Sequence, residues 1–295
     1  MKLKIVLIAF GLLPLIGVAQ EHTEKISREF TFENMSTTNT LMIANINGKI
    51  KVEGYDGERI ILELTRTIKA KTETRLEKGK KEIQLGIIDR ADSIILFVHG
   101  PCNDFGRVRN KVGDNAATWG YNGNNASKHC EQGYDYTTDF VVKVPRSVHL
   151  NLSTINEGNV VAERTTGIVH ADNINGSISL KNLTQESTAS TINGDIDIEY
   201  DRNPEKDCRF YSLNGNINAW FQKGLAVNLS FESFNGGFFT NLDKIESLPV
   251  KVEKFSGGEG IKFKVAGNRY KVGSGGPLLD FETFNGNVYL KERSN

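Results

Sequence analysis

The sequence predicts an all-β fold, a β-solenoid of stacked coils, and three observations predict it. First, a phrase of Ser, Thr or Asn, a large apolar residue, Asn and Gly recurs along the chain, as Asn45-Ile46-Asn47-Gly48, Asn173-Ile174-Asn175-Gly176, Thr191-Ile192-Asn193-Gly194, Ser212-Leu213-Asn214-Gly215, Ser233-Phe234-Asn235-Gly236 and Thr283-Phe284-Asn285-Gly286, with Thr154-Ile155-Asn156-Glu157-Gly158 as an expanded variant. Second, from Asn156 onward the copies step by 19, 18, 21 and 21 residues, a fixed period that marks stacked repeat units. Third, the flanks alternate apolar and polar with the period of a strand.

Each Asn-Gly reads as a sharp bend, because Gly supplies positive φ without steric cost and Asn tolerates it. Before the bend the apolar residues stand six and four places ahead of the Asn, as in Leu150 and Leu152 or Leu229 and Phe231; beyond it they stand three and five places on, as in Ile178 and Leu180 or Ile196 and Ile198. The inward phase slips by one at every bend. Hairpins are the rival reading, since Asn-Gly between alternating runs is also a strong hairpin signal. Hairpins would bring a second turn at constant spacing, whereas the segments Lys181 to Glu186 and Tyr200 to Asp207 differ in length and character. In parallel coils, like residues sit about 4.8 Å apart. Asn156, Asn175, Asn193, Asn214, Asn235 and Asn285 then form a structural ladder of inward, mutually paired amides, with the Ser, Thr or Asn two places earlier as a second polar column.

The ends and the composition bound the rest. Met1-Lys2-Leu3-Lys4, the apolar run Ile5 to Leu13 and Gly17-Val18-Ala19 before Gln20 read as a secretory signal over residues 1–19. That run, broken by Gly11 and Pro14, is too short for a comfortable membrane span, and no later stretch is apolar enough for a transmembrane segment once the signal is cleaved. Lys plus Arg and Asp plus Glu each number 36, and losing Lys2 and Lys4 leaves the mature chain slightly acidic. No nucleic-acid partner is expected from that balance. The chain divides into the signal, an N-terminal β region over 20–147 with an insertion at about 100–138, and repeats over 148–295.

Strand-like runs at Arg59 to Ile68, Asp92 to Val98 and Tyr136 to Val144 fill the N-terminal region, and Thr72 to Leu85 has the composition of a short helix or a charged connection. The Gly- and Asn-rich stretch from Gly100 to Thr138 reads as a surface insertion, either functional or a tethered loop. In an exported chain Cys102 and Cys130, which bracket it, are expected as a disulfide, with Cys208 a free, partly buried thiol. A degenerate bend copy is expected at Ser256-Gly257-Gly258.

The bend phrase, the lead-in Phe140-Val141-Val142-Lys143-Val144-Pro145 and the Cys-bounded aromatic insertion before it resemble the putative-adhesin β-strand-repeat domain of unknown function, in its exported Bacteroidetes-type form. The resemblance covers about Ile43 to Leu290. It implies a β-helix-like solenoid and a role in adhesion or envelope interaction, and it brings no catalytic motif to carry over.

Enzyme chemistry finds little in the sequence. Asp195 and Asp197 neighbour one another on a strand, but the residues at matching positions in the other repeats are neutral, the pattern of a solvated face rather than an acid and base pair. The Gly-Gly-x-Gly-x-Asp calcium repeat, a phosphate loop and a nucleophile elbow are absent, and the histidines lack ligand spacing. No catalytic residue, metal or cofactor is expected. The residue just before each Asn points outward if the phase holds, which lines up Ile174, Ile192, Leu213, Phe234 and Phe284 as an apolar stripe. Such a stripe must be covered by the chain, turned inward by the bend or used for a partner. The function expected is a non-enzymatic, adhesin-like or cell-envelope interaction module, periplasmic or at the surface, that binds an envelope or extracellular protein or glycan, with Trp119, Tyr121, Tyr134 and Phe234 as contacts. A carbohydrate-active enzyme on a β-helix scaffold and a structural envelope scaffold are the alternatives.

Overall fold

A computed structural model describes residues 20–34, 36–103, 105–109, 117–121, 132–249, 252–257, 260–265 and 268–293. The signal segment 1–19 and Cys130 lie outside the described residues. Among the described residues the chain is all-β apart from the helix Glu73–Glu82, and two large mixed sheets, neither closed into a barrel, carry most of them. From edge to edge the first sheet runs Gln20–Phe30, Ile60–Ala70, Tyr134–Pro145, Ile50–Tyr55, Val160–Glu163, Ile178–Leu183, Ile196–Tyr200, Ile217–Phe221, Val288–Glu292 and Phe238–Thr240. The second runs Ile245–Ser247, Asn268–Val272, Val227–Asn235, Leu278–Asn285, Cys208–Asn214, Ser187–Asn193, Val169–Asn175, His149–Thr154, Thr40–Ala44, Ser93–His99 and Gln84–Asp89.

Every Asn-Gly bend carries the chain from a strand of the second sheet to one of the first. Successive copies lie parallel and in register, as Asn175 opposite Asn193 and Asn193 opposite Asn214 show. Backbone pairing continues through the bend, with the Gly194 amide donating to the Asn214 carbonyl at 3.1 Å. The interior lies between the sheets. Its rungs are the residues six and four before and three and five after each Asn, such as Val169, Ala171, Ile178 and Leu180, all at most 1% exposed. Burying an aliphatic side chain of this kind contributes roughly 1.5–3 kcal/mol, so one rung alone cannot offset the cost of ordering its backbone.

The stacking order departs from the chain order. The last copy, Leu278–Asn285, lies between Cys208–Asn214 and Val227–Asn235 and is parallel to both. Asn214 and Asn235 are therefore not neighbours. The segment after Phe238–Thr240 leaves the stack, and the strands Ile245–Ser247 and Asn268–Val272 pair antiparallel beyond Val227–Asn235. The degenerate copy expected at Ser256-Gly257-Gly258 is instead part of an antiparallel hairpin, Val252–Gly257 with Gly260–Val265; Gly258 lies outside the described residues.

At the other end the N-terminal region widens both sheets with antiparallel strands, Gln20–Phe30 on Ile60–Ala70, Ile60–Ala70 on Tyr134–Pro145, and Gln84–Asp89 on Ser93–His99. The helix Glu73–Glu82 starts at Thr72, whose side chain accepts from the Arg75 amide. It packs on the sheet through Leu76 and Gly79, where a Cβ would come within 2.7 Å of Ile68 and 2.9 Å of Tyr134. The insertion ends earlier than the sequence suggested, because Tyr134 and Tyr136 alternate inward from the start of the strand Tyr134–Pro145 and are 6% exposed.

Candidate binding face

The bends are built by contacts that differ from those the sequence suggested. Among the bend glycines only Gly48 has a positive φ, at 118°. The others are glycine because rungs stack backbone on backbone: a Cβ on Gly194 would lie 2.3 Å from the Gly176 carbonyl oxygen, and one on Gly215 2.0 Å from that of Gly194. The residue two places before the Asn serves the same contact from inside. The hydroxyls of Thr191 and Ser212, 0% exposed, each donate at 2.9 Å to the glycine carbonyl of the preceding rung, Gly176 and Gly194, and Asn173 donates to Gly158 in the same way.

The Asn side chains stand outside. Asn156 donates to Asn47, Asn175 to Asn156, Asn193 to Asn175, Asn214 to Asn193, Asn285 to Asn214 and Asn235 to Asn285, at 2.8–3.2 Å. Asn175, Asn193, Asn214, Asn285 and Asn235 are exposed rather than inward, because the interior ends two residues earlier, where the chain turns from one sheet to the other.

Beside this line of amides the apolar residues preceding each Asn are open to solvent. Ile174 is 38% exposed, Ile192 39%, Phe284 45% and Phe234 74%, with Leu213 half-buried. The Phe234 and Phe284 rings stack with centroids 4.8 Å apart. Around the same two bends, on the first sheet, Phe239 stacks on Tyr289 at 5.1 Å. Packing does not call for rings at these outward sites, which earlier rungs fill with Ile174, Ile192 and Leu213 on one side and Ser179, Asp197 and Asn218 on the other.

Next to the apolar row, the outward face of the second sheet carries two more rows in register. One is Asn151, His170, Thr188, Arg209 and Asp280; the other is Ser153, Asp172, Ser190, Tyr211 and Glu282. A groove of about 670 Å³ lies over their first rungs, walled by Ile155, Ile174 and Asn173 on one side and reaching Gly120 and Tyr121 of the insertion. A shallower trough of about 420 Å³ continues it from Thr188 past Ser190 to Arg209, Tyr211 and Glu282. His170 Nδ1 lies 2.6 Å from the Thr188 hydroxyl, and partial burial lowers the pKa of the ring. Water reaches Asp172, yet the surrounding walls remove enough of it to push its carboxyl upward. Arg209 spends its charge on Glu282 at 3.1 Å and Asp280 at 3.7 Å.

Of the expected partner contacts whose side chains are described, Phe234 is the exposed one. Tyr134 is buried and donates to Glu82 at 2.7 Å. The Tyr121 hydroxyl lies 2.8 Å from both the amide and the carbonyl of Val98, so it pins the insertion to the edge of the interior. Both rings are spent within the fold. Trp119 lies on the strand Ala117–Tyr121, which pairs antiparallel with Phe105–Arg109, and its side chain is outside the described residues. Asp195 and Asp197 accept from the Asn216 amide and the Asn218 side chain of the next rung, so both carboxylates tie rungs together. Cys208 is a free thiol, 2% exposed, beside the Tyr200 hydroxyl at 3.2 Å, which in turn meets Ser187 at 2.6 Å. Burial pushes both the thiol and the phenol upward, which keeps them protonated. The two rows of the groove carry no sequence signature, since outward strand residues are free to vary; register alone assembles them.

No protein-family model matches the chain, and no curated protein does. Among solved structures, the crystal structure of a putative cell adhesion protein from Clostridium sporogenes is 13% identical and overlays 94% of this chain and 100% of its own at a TM-score of 0.39. That of a putative adhesin from Bacteroides fragilis is 10% identical and overlays 92% and 97% at a TM-score of 0.36. Both carry the adhesion description that the strand-repeat phrase leads one to expect, and scores this low take the likeness no further.

Proposed function

We propose that the chain is an exported, non-enzymatic binding module of the cell envelope or the extracellular space, adhesin-like in role. Its rungs form a β-solenoid, and the outward face of the second sheet is the surface it presents. The observation that carries this reading is the row Ile174, Ile192, Phe284 and Phe234, open to solvent, with half-buried Leu213 in line among them, all in register beside a line of amides. A contiguous apolar row that the fold leaves uncovered is the usual mark of an interaction surface, and aromatic anchors give large contact area at low entropy cost. Export rests on the leader read over residues 1–19; a Cys102–Cys130 disulfide is what an exported chain would form there.

Binding is favoured over glycoside cleavage by the placement of carboxylates. Asp280 and Glu282, close together on this face, are both held by Arg209; Asp172 and Glu282, in the row Ser153, Asp172, Ser190, Tyr211 and Glu282, are three strands apart. That is about 14 Å at the usual strand spacing, beyond the roughly 5–9.5 Å that hydrolysis by paired carboxylates uses. The test is adhesion of beads carrying the full chain to envelope preparations and to host-cell surfaces. Replacing both Phe234 and Phe284 with Ala should cut bead retention at least fivefold, whereas Lys181→Ala, on the exposed face of the first sheet, should leave it unchanged. Equal retention of all three proteins would sink the reading.

A further inference from the structure

We propose that the groove on the outer face of the second sheet holds a neutral, extended oligosaccharide laid along the stack, with its sugar hydroxyls on the polar rows and its C–H faces on the Ile wall and the Tyr211 ring. This rests on the binding-module reading and names its ligand class.

Spacing comes first. Ser153, Asp172, Ser190 and Tyr211 follow one another on adjacent parallel strands, so the groove repeats its polar groups in a straight line at about 4.8 Å per rung. Such a line suits a linear polymer with a short repeat and does not suit a compact ligand. Chemistry comes next. Hydroxyls, an amide and a carboxylate form the floor, with Ile155 and Ile174 as one wall, a mixture of few placed polar groups and apolar surface that fits a molecule with hydroxylated edges and apolar faces.

One acceptor in the groove has no protein donor. The Asp172 carboxylate has no hydrogen-bond or ion-pair partner among the described residues and stands on the outward face. A polyol laid over it supplies donors. Charge then narrows the class. Arg209 is neutralised by Asp280 and Glu282, which leaves the groove acidic at Asp172 and disfavours uronate-type or phosphorylated polymers. A peptide strand is disfavoured as well, because the face of a sheet offers no unpaired backbone for it to join.

The experiment measures binding of the full chain to cellohexaose, chitohexaose, xylohexaose and mannohexaose, and to alginate and polygalacturonate hexamers as anionic counterparts, by arrayed glycans and then by calorimetry. At least one neutral hexamer should bind at least tenfold tighter than either anionic one. Tyr211→Ala and Asp172→Asn should each weaken it at least tenfold while melting within a few degrees of the parent, and Lys181→Ala should bind as the parent does. Binding that favours the anionic hexamers, or that ignores both groove substitutions, overturns the inference. If no glycan binds while bead adhesion persists and still depends on Phe234 and Phe284, the glycan inference falls and the binding-module reading stands; loss of both removes both.

Discussion

The two sides of each bend contrast sharply. Inside, Thr191 is fully buried and its hydroxyl holds the carbonyl of Gly176, while Gly194 presses backbone to backbone on the rung before it. Outside, one or two residues away, Ile192 and Asn193 are open to water. The inner contacts have no room to vary, because an added methyl meets backbone and a lost hydroxyl strands a buried acceptor. The outer ones are held only by solvated amide bonds and ring stacking. The stack is therefore held from within, which leaves its outer face free to take up binding chemistry, as the change from Ile192 and Leu213 to Phe284 and Phe234 illustrates.

Gly194→Ala should have the largest effect on this contrast. Its methyl would lie 2.3 Å from the Gly176 carbonyl oxygen, so two rungs must separate, at about 3 kcal/mol or more. Chemical denaturation should show a much lower midpoint or no folded chain at all; a midpoint unchanged from the parent would mean that the rungs do not meet there. Thr191→Val comes next. It keeps the shape and leaves the buried Gly176 carbonyl without its side-chain donor, at about 1–3 kcal/mol.

Asn193→Ala removes one amide donated to Asn175 and one accepted from Asn214, both solvated, so about 1 kcal/mol or less is expected. If Asn193→Ala costs more than Thr191→Val, the stack is held from outside and the contrast is reversed.

The smallest effect is on pH dependence. His149 Nδ1 accepts the Ile168 amide at 2.9 Å, and burial lowers the pKa of the ring. Lys206 acts with burial, and Glu186 acts against it. The neutral ring therefore contributes stability that is full above the unfolded histidine value of about 6.5 and is lost as pH falls from there through the lower folded value; His170 shifts in the same direction. Melting temperature should drop modestly between pH 7.5 and 5.5, and less in a His149→Gln variant. A melting temperature that rises on acidification would contradict the sign.

Much of this was legible in the sequence. The inward columns around each bend follow from alternation, and the outward stripe follows from the phase slip, because both depend on strand geometry alone. The stacking order was not legible. The phrases around Asn214, Asn235 and Asn285 are chemically alike, so periodicity cannot tell which rung lies on which. The role of glycine was misread for a related reason: positive φ is a local property, whereas the close approach of Gly215 to Gly194 exists only once rungs stack. The inward placement of the Asn ladder failed because alternation says nothing about where the interior ends. Tyr134 and Tyr136 alternate with Asp135 and Thr137 as a strand should, but the Gly- and Asn-rich residues before them drew them into the insertion. The groove depends on Asn151, His170 and Thr188 meeting across rungs separated by about twenty residues, which only register supplies.

The contrast extends through the last rungs only when the last copy is seated between its two neighbours, parallel and in register. Cysteine pairs placed at bend positions read this directly by oxidation and non-reducing mass spectrometry. The Asn214→Cys, Asn285→Cys pair and the Asn285→Cys, Asn235→Cys pair should each close a disulfide under mild oxidation, and the Asn214→Cys, Asn235→Cys pair should stay reduced. Ready closure of the third pair, with the first two left open, would contradict the order of the stack.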